Sequence, residues 1–189
     1  MNEIAWQERV SKHVWPLQII VAALVAGCVF FLVVTLIVPP PGAERAGDGR
    51  PLQITWVALA FLVVMLVARC VFPTIVVRKG RRQIARGTFS LPQAREAPLQ
   101  GPREELEQMG DADPLFMLYQ TKTIIGAAMI EGMTFFMLIA YLTERQAIAL
   151  GIAIALILAV AAHMPTRTGV IHWIEDQLRF VEEERAFGR

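Results

Sequence analysis

Four long apolar runs, separated by polar segments, dominate this sequence. They cover residues 17–38, 54–77, 123–142 and 146–164. About 20 apolar residues in helical conformation are enough to cross the hydrocarbon core of a lipid bilayer. The pattern therefore predicts four transmembrane helices.

The boundaries of these runs indicate how the spans are connected. Pro39, Pro40 and Pro41 follow the first run and end a helix there, because proline lacks the amide donor and clashes with the preceding turn. Only residues 143–145 separate the third run from the fourth, and so short a link requires an antiparallel hairpin. We expect an all-α fold, a polytopic up-down bundle of four spans, as a single membrane domain over residues 1–189.

Basic residues lie mainly on one side of the predicted spans. The segment 78–113 and the two tails contain Arg78, Lys79, Arg81, Arg82, Arg86, Arg95, Arg103, Arg9, Lys12, Arg167, Arg179, Arg185 and Arg189. The opposite side contains Arg45, Arg50 and Arg145. Since the basic side is retained in the cytoplasm, both termini are predicted to be cytoplasmic. The first run is longer than the apolar core of a signal peptide, which favours an uncleaved protein of a bacterial inner (plasma) membrane.

Two polar regions are predicted outside the bilayer. The loop 78–113 begins with the basic run RKGRRQIAR and ends with the acidic run EELEQMGDAD. The basic run could bind anionic lipid headgroups, although retention of positive charge in the cytoplasm explains it without a ligand. The tail 168–187 has apolar residues at helical spacing, which predicts an amphipathic helix along the cytoplasmic interface. The alternative is that this helix docks on the loop 78–113.

Composition supports a membrane protein and argues against several other classes. Apolar residues make up 55% of the chain and charged residues 19%, compared with about 45–50% and about 25% in soluble domains. The net charge of +1 is too small for a nucleic-acid-binding surface. Cys28 and Cys70 lie within apolar runs and show no metal-binding spacing. With no phosphate-binding loop and no hydrolase motif, we expect no catalytic residue, no metal and no cofactor.

Glu131 is the most informative residue, because it lies in the middle of the third run. It follows Lys122 by nine residues, which places it about 13 Å into the membrane. An intramembrane carboxylate is costly and indicates function unless it is paired. Arg69 lies at a similar depth in the second run. We therefore expect either an Arg69–Glu131 ion pair or a protonated Glu131 with Arg69 extended to the cytoplasmic surface.

Small residues form two faces suited to close helix packing. The fourth run has Ala147, Gly151, Ala155 and Ala159 at four-residue intervals, and the third has Gly126, Ala127, Ala128 and Gly132 around Glu131. Such faces let another helix approach closely. They predict tight packing within the hairpin or between copies of the chain.

Two resemblances bear on function. The stretch TIIGAAMIEGMTFFMLIAYL, residues 123–142, resembles the ion-binding helix of the rotary ATP synthase proteolipid, subunit c, which implies that Glu131 is an ion-binding carboxylate. The whole chain resembles uncharacterised four-span bacterial inner-membrane proteins. The residues that carry this second resemblance are Glu131-Gly132 in the third span and Pro165-Thr166-Arg167 before the tail.

Three functions follow as expectations. The first is a non-enzymatic inner-membrane protein that contacts the lipid bilayer and serves as a packing element, either in a homo-oligomer or as a subunit of a membrane complex. The second is a proton- or ion-handling protein that uses Glu131, with Arg69 modulating it. The third is a membrane enzyme that uses the cytoplasmic loop.

Overall fold

The computed structural model describes residues 3–39, 53–86 and 111–187, with side chains from residue 14 onward. The described elements are five helices: α1 Glu3–Ile37, α2 Gln53–Ala85, α3 Ala112–Glu144, α4 Ala147–Ala162 and α5 Arg167–Phe187. The all-α prediction is confirmed. The segments 40–52 and 87–110, which contain Arg45, Arg50, Arg95 and Arg103, lie outside the described residues.

Among the described residues, three helices are long and apolar enough to cross a membrane. They are α1 from Val14 to Ile37, α2 and α3. The helix α4 has only 16 residues and reaches a comparable length only together with α5, across a bend of 71°. The structure therefore contains three candidate spans, or up to four, where the apolar runs predict four.

The described chain forms two compact units. The terminal unit comprises residues 1–17, 73–123 and 165–189, and the span unit comprises residues 18–72 and 124–164. The division arises because α2 and α3 continue well beyond their apolar runs. Apolar residues in these extensions, Ile84 of α2 and Leu115 and Leu118 of α3, form a second core with α5.

In the terminal unit, one face of α5 packs on the ends of α2 and α3. Val170, Ile174 and Val181 of α5 are fully buried there. The cluster as a whole consists of Val14, Ile84, Ala112, Leu115, Leu118, Val170, Ile174 and Val181. The amphipathic helix is thus present, but its apolar face contacts protein rather than being free to enter a lipid interface. This arrangement matches the alternative of docking on the segment 78–113.

Arg185 of α5 hydrogen-bonds residues on both sides of the segment 87–110. Its guanidinium donates to both carboxylate oxygens of Asp111, at 2.6 and 2.9 Å. It also donates to the carbonyl oxygens of Ile84 and Ala85, at the end of α2. The hydrogen bond with Asp111 raises the pKa of Arg185 above its ordinary value. The basic end of α5 therefore holds the exit of α2 close to the entry of α3.

In the span unit, α3 is the central helix. Half of its most apolar window is buried, compared with 17% for α1 and none for α2. Two apolar clusters collect residues of α1, α2, α3 and α4 around it. Large apolar side chains of α2 remain exposed, among them Val63, Val64 and Val67. Such a surface is suited to lipid, in which exposed apolar side chains carry no hydrophobic cost.

Candidate intramembrane site

Arg69 is held by a histidine of α4. Its guanidinium hydrogen-bonds Nε2 of His163, and Nδ1 of His163 lies 2.8 Å from the carbonyl oxygen of Ala159. Both ring nitrogens of His163 therefore have a hydrogen-bonding neighbour within the span unit. His163, the C-cap residue of α4, is therefore a hydrogen-bond partner of the Arg69 guanidinium within the span unit.

Gly126 of α3 provides the space for this guanidinium. A Cβ atom at Gly126 would lie 2.5 Å from Nη1 of Arg69, which is closer than van der Waals contact permits. The sequence predicts Gly126 as a helix-packing residue, and the structure gives it a more specific role. Its missing side chain allows a charged group, and not only a helix, to approach α3.

Glu131 lies on a different side of α3, against α1. Its Oε1 would be 3.7 Å from a Cβ atom at Gly27. The next residue of α1, Cys28, is buried and lies near Glu131 and Thr134. In the described ranges, no hydrogen bond or ion pair involves the Glu131 carboxylate.

The structure pairs Arg69 with His163, not with the expected Glu131. Helix geometry explains the difference. Gly126, which Arg69 contacts, and Glu131 are five residues apart, and this separation turns about 140° around a helix. Similar depth in the membrane was the basis for expecting the pair, but depth does not specify the face of the helix.

The small residues that the sequence predicts for helix packing differ in their burial. Gly126 and Ala127 are buried, whereas Ala128 is exposed and Gly132 has open space beside it. On α4 the buried face is formed by Ala149, Ala153, Ile157 and Val160. The predicted stripe lies elsewhere: its members Ala147, Gly151 and Ala155 are exposed, and Ala159 is half-buried. Most of that stripe therefore does not pack within the described chain.

A second polar site lies at the link between α3 and α4. Glu144 accepts hydrogen bonds from the amides of Ile54 and Thr55, at 2.6 and 3.0 Å, and from the Thr55 hydroxyl. Arg145 donates to the carbonyl oxygens of Thr35, at 3.0 Å, and Val38. The link thus places an anion at the start of α2 and a cation at the end of α1, as the helix dipoles favour.

Sequence reasoning missed this site, although a signal was present. The first turn of α2 contains no acidic residue and the last turn of α1 contains no basic residue. Helix ends need partners for their free amides and carbonyls. Glu144 accepts from the free amides of α2, and Arg145 donates to the free carbonyls of α1. Arg145 has a φ of 54°, a left-handed conformation that is uncommon for a residue with a side chain.

The chemistry available in the span unit is narrow. No group of three metal-binding side chains occurs in the described part of the chain, and the nucleophilic group near Glu131 is the buried thiol of Cys28. A charged carboxylate without a partner is costly between apolar helices. We therefore expect Glu131 either to carry a proton or to meet a group that the described residues do not include.

Comparison of the chain with protein-family models, with curated proteins and with solved structures gives no match. Function is therefore inferred from the residues of the site and their surroundings. These are Arg69, which has a hydrogen-bond partner in His163, and Glu131, a carboxylate in the apolar run of α3 that has no ion-pair partner among the described residues.

Proposed function

We propose that this chain is a non-enzymatic integral protein of a bacterial inner membrane and acts as a subunit of a membrane assembly. In this proposal the four apolar runs form an up-down bundle with both termini in the cytoplasm. The assembly is either a homo-oligomer or a complex with other membrane helices. Glu131 lies at the contact and meets a donor from the neighbouring subunit.

The observation that carries this proposal is the division of roles between Arg69 and Glu131. His163 is the hydrogen-bond partner of Arg69, so among the described residues the Arg69 side chain is directed to α4 and not to Glu131. Hydrogen bonds between polar side chains of neighbouring helices contribute about 1 kcal/mol in membranes and also fix which helices meet. An unpaired mid-span carboxylate is well suited to specify such a contact.

The exposed stripe on α4 supports the same proposal. No atom lies within 4 Å of a Cβ atom placed at Gly151, so this face is open within the chain. Small residues at four-residue intervals are the usual requirement for close approach of a second helix. In this proposal the stripe on α4 packs against a helix of the neighbouring subunit, and Glu131 forms a hydrogen bond with that subunit.

Loss of the Glu131 carboxylate is expected to disrupt the assembly without unfolding the chain. In a mild detergent, the wild-type protein should migrate on native gels as a species larger than the 21.0 kDa monomer, and Glu131→Gln should shift most of it to the monomer. Gly151→Leu should have the same effect, because leucine fills the open face without disturbing internal packing. Glu183→Gln, an exposed carboxylate of α5, is the control and should assemble normally. Unchanged assembly in both variants would contradict the proposal.

The second candidate is proton or ion handling by Glu131. It is favoured by the position of the carboxylate in the apolar run of α3, without an ion-pair partner among the described residues. In proteoliposomes this candidate predicts a proton or sodium flux that Glu131→Gln abolishes. The subunit proposal predicts that the flux through wild type and variant is the same.

A further inference from the structure

A groove in the terminal unit combines several cations with a buried amide. It has a volume of about 320 Å³ and lies between α2, α3 and α5. Its charged lining residues are Arg78, Arg81 and Lys122, and its lining contains no carboxylate. Three cations that line one groove without an acid indicate an anionic ligand.

The cations are held in place around this groove. The Lys122 ammonium lies 5.1 Å from the ring centre of Trp173 and 5.6 Å from that of Tyr119. The two rings contact each other edge to face, at 5.2 Å. Aromatic rings attract a cation and restrict its position. Lys122 is therefore oriented by α3 and α5 together and is not a freely moving surface lysine.

Arg81 is oriented by a partner outside the groove lining. Its Nε and Nη2 both bond to Oε1 of Glu184, at 3.0 and 2.9 Å, and the guanidinium lies over the ring of Phe180. Glu184 offsets part of its charge. Arg78 has no ion-pair partner among the described residues, so its positive charge is not offset by them.

Gln177 adds an observation that charge alone does not explain. Its side chain lines the groove and is 8% exposed, yet its amide oxygen is buried and has no hydrogen-bond partner among the described residues. Buried polar groups are almost always hydrogen-bonded. An amide can turn either its oxygen or its NH₂ group toward a ligand. An unpartnered amide in a cationic groove is therefore suited to an anion that also carries hydroxyl groups.

The position of the groove along α2 indicates the source of such an anion. Its lining begins at Pro73 and includes Val77 and Arg78, where the apolar run of α2 gives way to the basic run. Trp173 adds an indole, a group that favours the level of lipid headgroups. A topology signal requires basic residues but requires neither a ring-held lysine nor a buried amide.

We propose that this groove binds the phosphate headgroup of an anionic phospholipid of the surrounding membrane. Arg78 and Lys122 contact the phosphate, Arg81 adds its remaining donors, and Gln177 hydrogen-bonds the headgroup hydroxyls. The proposal rests on the membrane location proposed above. It does not depend on Glu131 or on assembly, so it can fail independently of the subunit proposal.

The test is binding of phosphatidylglycerol to the full-length protein in detergent, followed by native mass spectrometry. The double variant Arg78→Gln/Lys122→Gln is expected to raise the dissociation constant about tenfold or more, which corresponds to the loss of about 1.4 kcal/mol. Gln177→Leu should weaken binding about threefold while thermal stability without lipid is maintained, because no internal hydrogen bond is lost. Arg179→Gln removes an exposed charge of α5 outside the groove lining and serves as the matched control.

The proposal holds if phosphatidylglycerol binds, the groove variants lose affinity and Arg179→Gln retains it. Equal losses in all variants would show a general charge effect and overturn it. Wild-type affinity in the double variant would also overturn it. Glycerol phosphate, used as a soluble competitor, distinguishes the source. If it binds as tightly as phosphatidylglycerol, the ligand is a soluble phosphate compound and the lipid assignment is wrong.

Discussion

Gly80→Val is expected to lower the free energy of unfolding by about 2–3 kcal/mol, because the added side chain overpacks the terminal unit. A Cβ atom at Gly80 would lie 2.5 and 2.7 Å from the two methyl carbons of Leu118 and 3.1 Å from its Cγ. Leu118 belongs to the core that α5 completes. The valine must therefore separate α2 from α3 or displace a buried leucine. Thermal unfolding in detergent and hydrogen exchange of the α5 amides both measure the loss.

The control for this substitution is Gly151→Val. No atom lies within 4 Å of a Cβ atom at Gly151, and valine is no worse a helix former than glycine. Its stability should therefore be close to that of the wild type in the monomer. The double variant Gly80→Val/Leu118→Ala should recover part of the lost stability, because the alanine removes the clashing atoms. Equal destabilisation by both single valines, with no recovery, would contradict the close approach of α2 and α3.

Glu144→Ala is the second substitution with a large expected effect, about 2 kcal/mol of stability. Glu144 accepts three hydrogen bonds from the first residues of α2, and α2 has no acidic residue of its own in its first turn. The alanine leaves those amides without a partner and removes a favourable charge from the helix N-terminus.

Denaturant or thermal unfolding in detergent measures this loss, with Glu183→Ala as the exposed control. Glu144→Gln should recover roughly half of the lost stability, because it keeps an acceptor oxygen but not the charge. If Glu144→Ala is no more destabilising than Glu183→Ala, the link between α3 and α4 does not cap α2.

The helices could be predicted from the sequence because their causes are local. Apolar run length places α1, α2 and α3 correctly, and the three-residue link places the turn into α4. The apolar spacing of the tail likewise predicts α5. Where prediction and structure differ, the cause is the length of the helices. Good helix formers such as Arg82, Gln83 and Ala85 extend α2 past its apolar run, and these polar ends build the terminal unit.

The candidate site could be predicted only in part, because contacts between helices depend on rotation as well as depth. Arg69 and Glu131 were found by their charge within apolar runs. Their partners depend on which face of α3 meets α1 or α2, and depth alone does not determine this. The caps formed by Glu144 and Arg145 involve residues about ninety to one hundred and ten positions away, so the sequence shows that these helix ends need partners but not which residues provide them.

The most direct test of the subunit proposal is carbodiimide labelling of Glu131, compared between native membranes and the purified monomer by mass spectrometry. The proposal predicts that Glu131 is labelled in the monomer and protected in the membrane, where a neighbouring subunit covers it. Asp176, an exposed carboxylate of α5, should be labelled equally in both preparations and serves as the internal control. Equal labelling of Glu131 in membrane and monomer would contradict the proposal and would favour a reachable, proton- or ion-binding carboxylate.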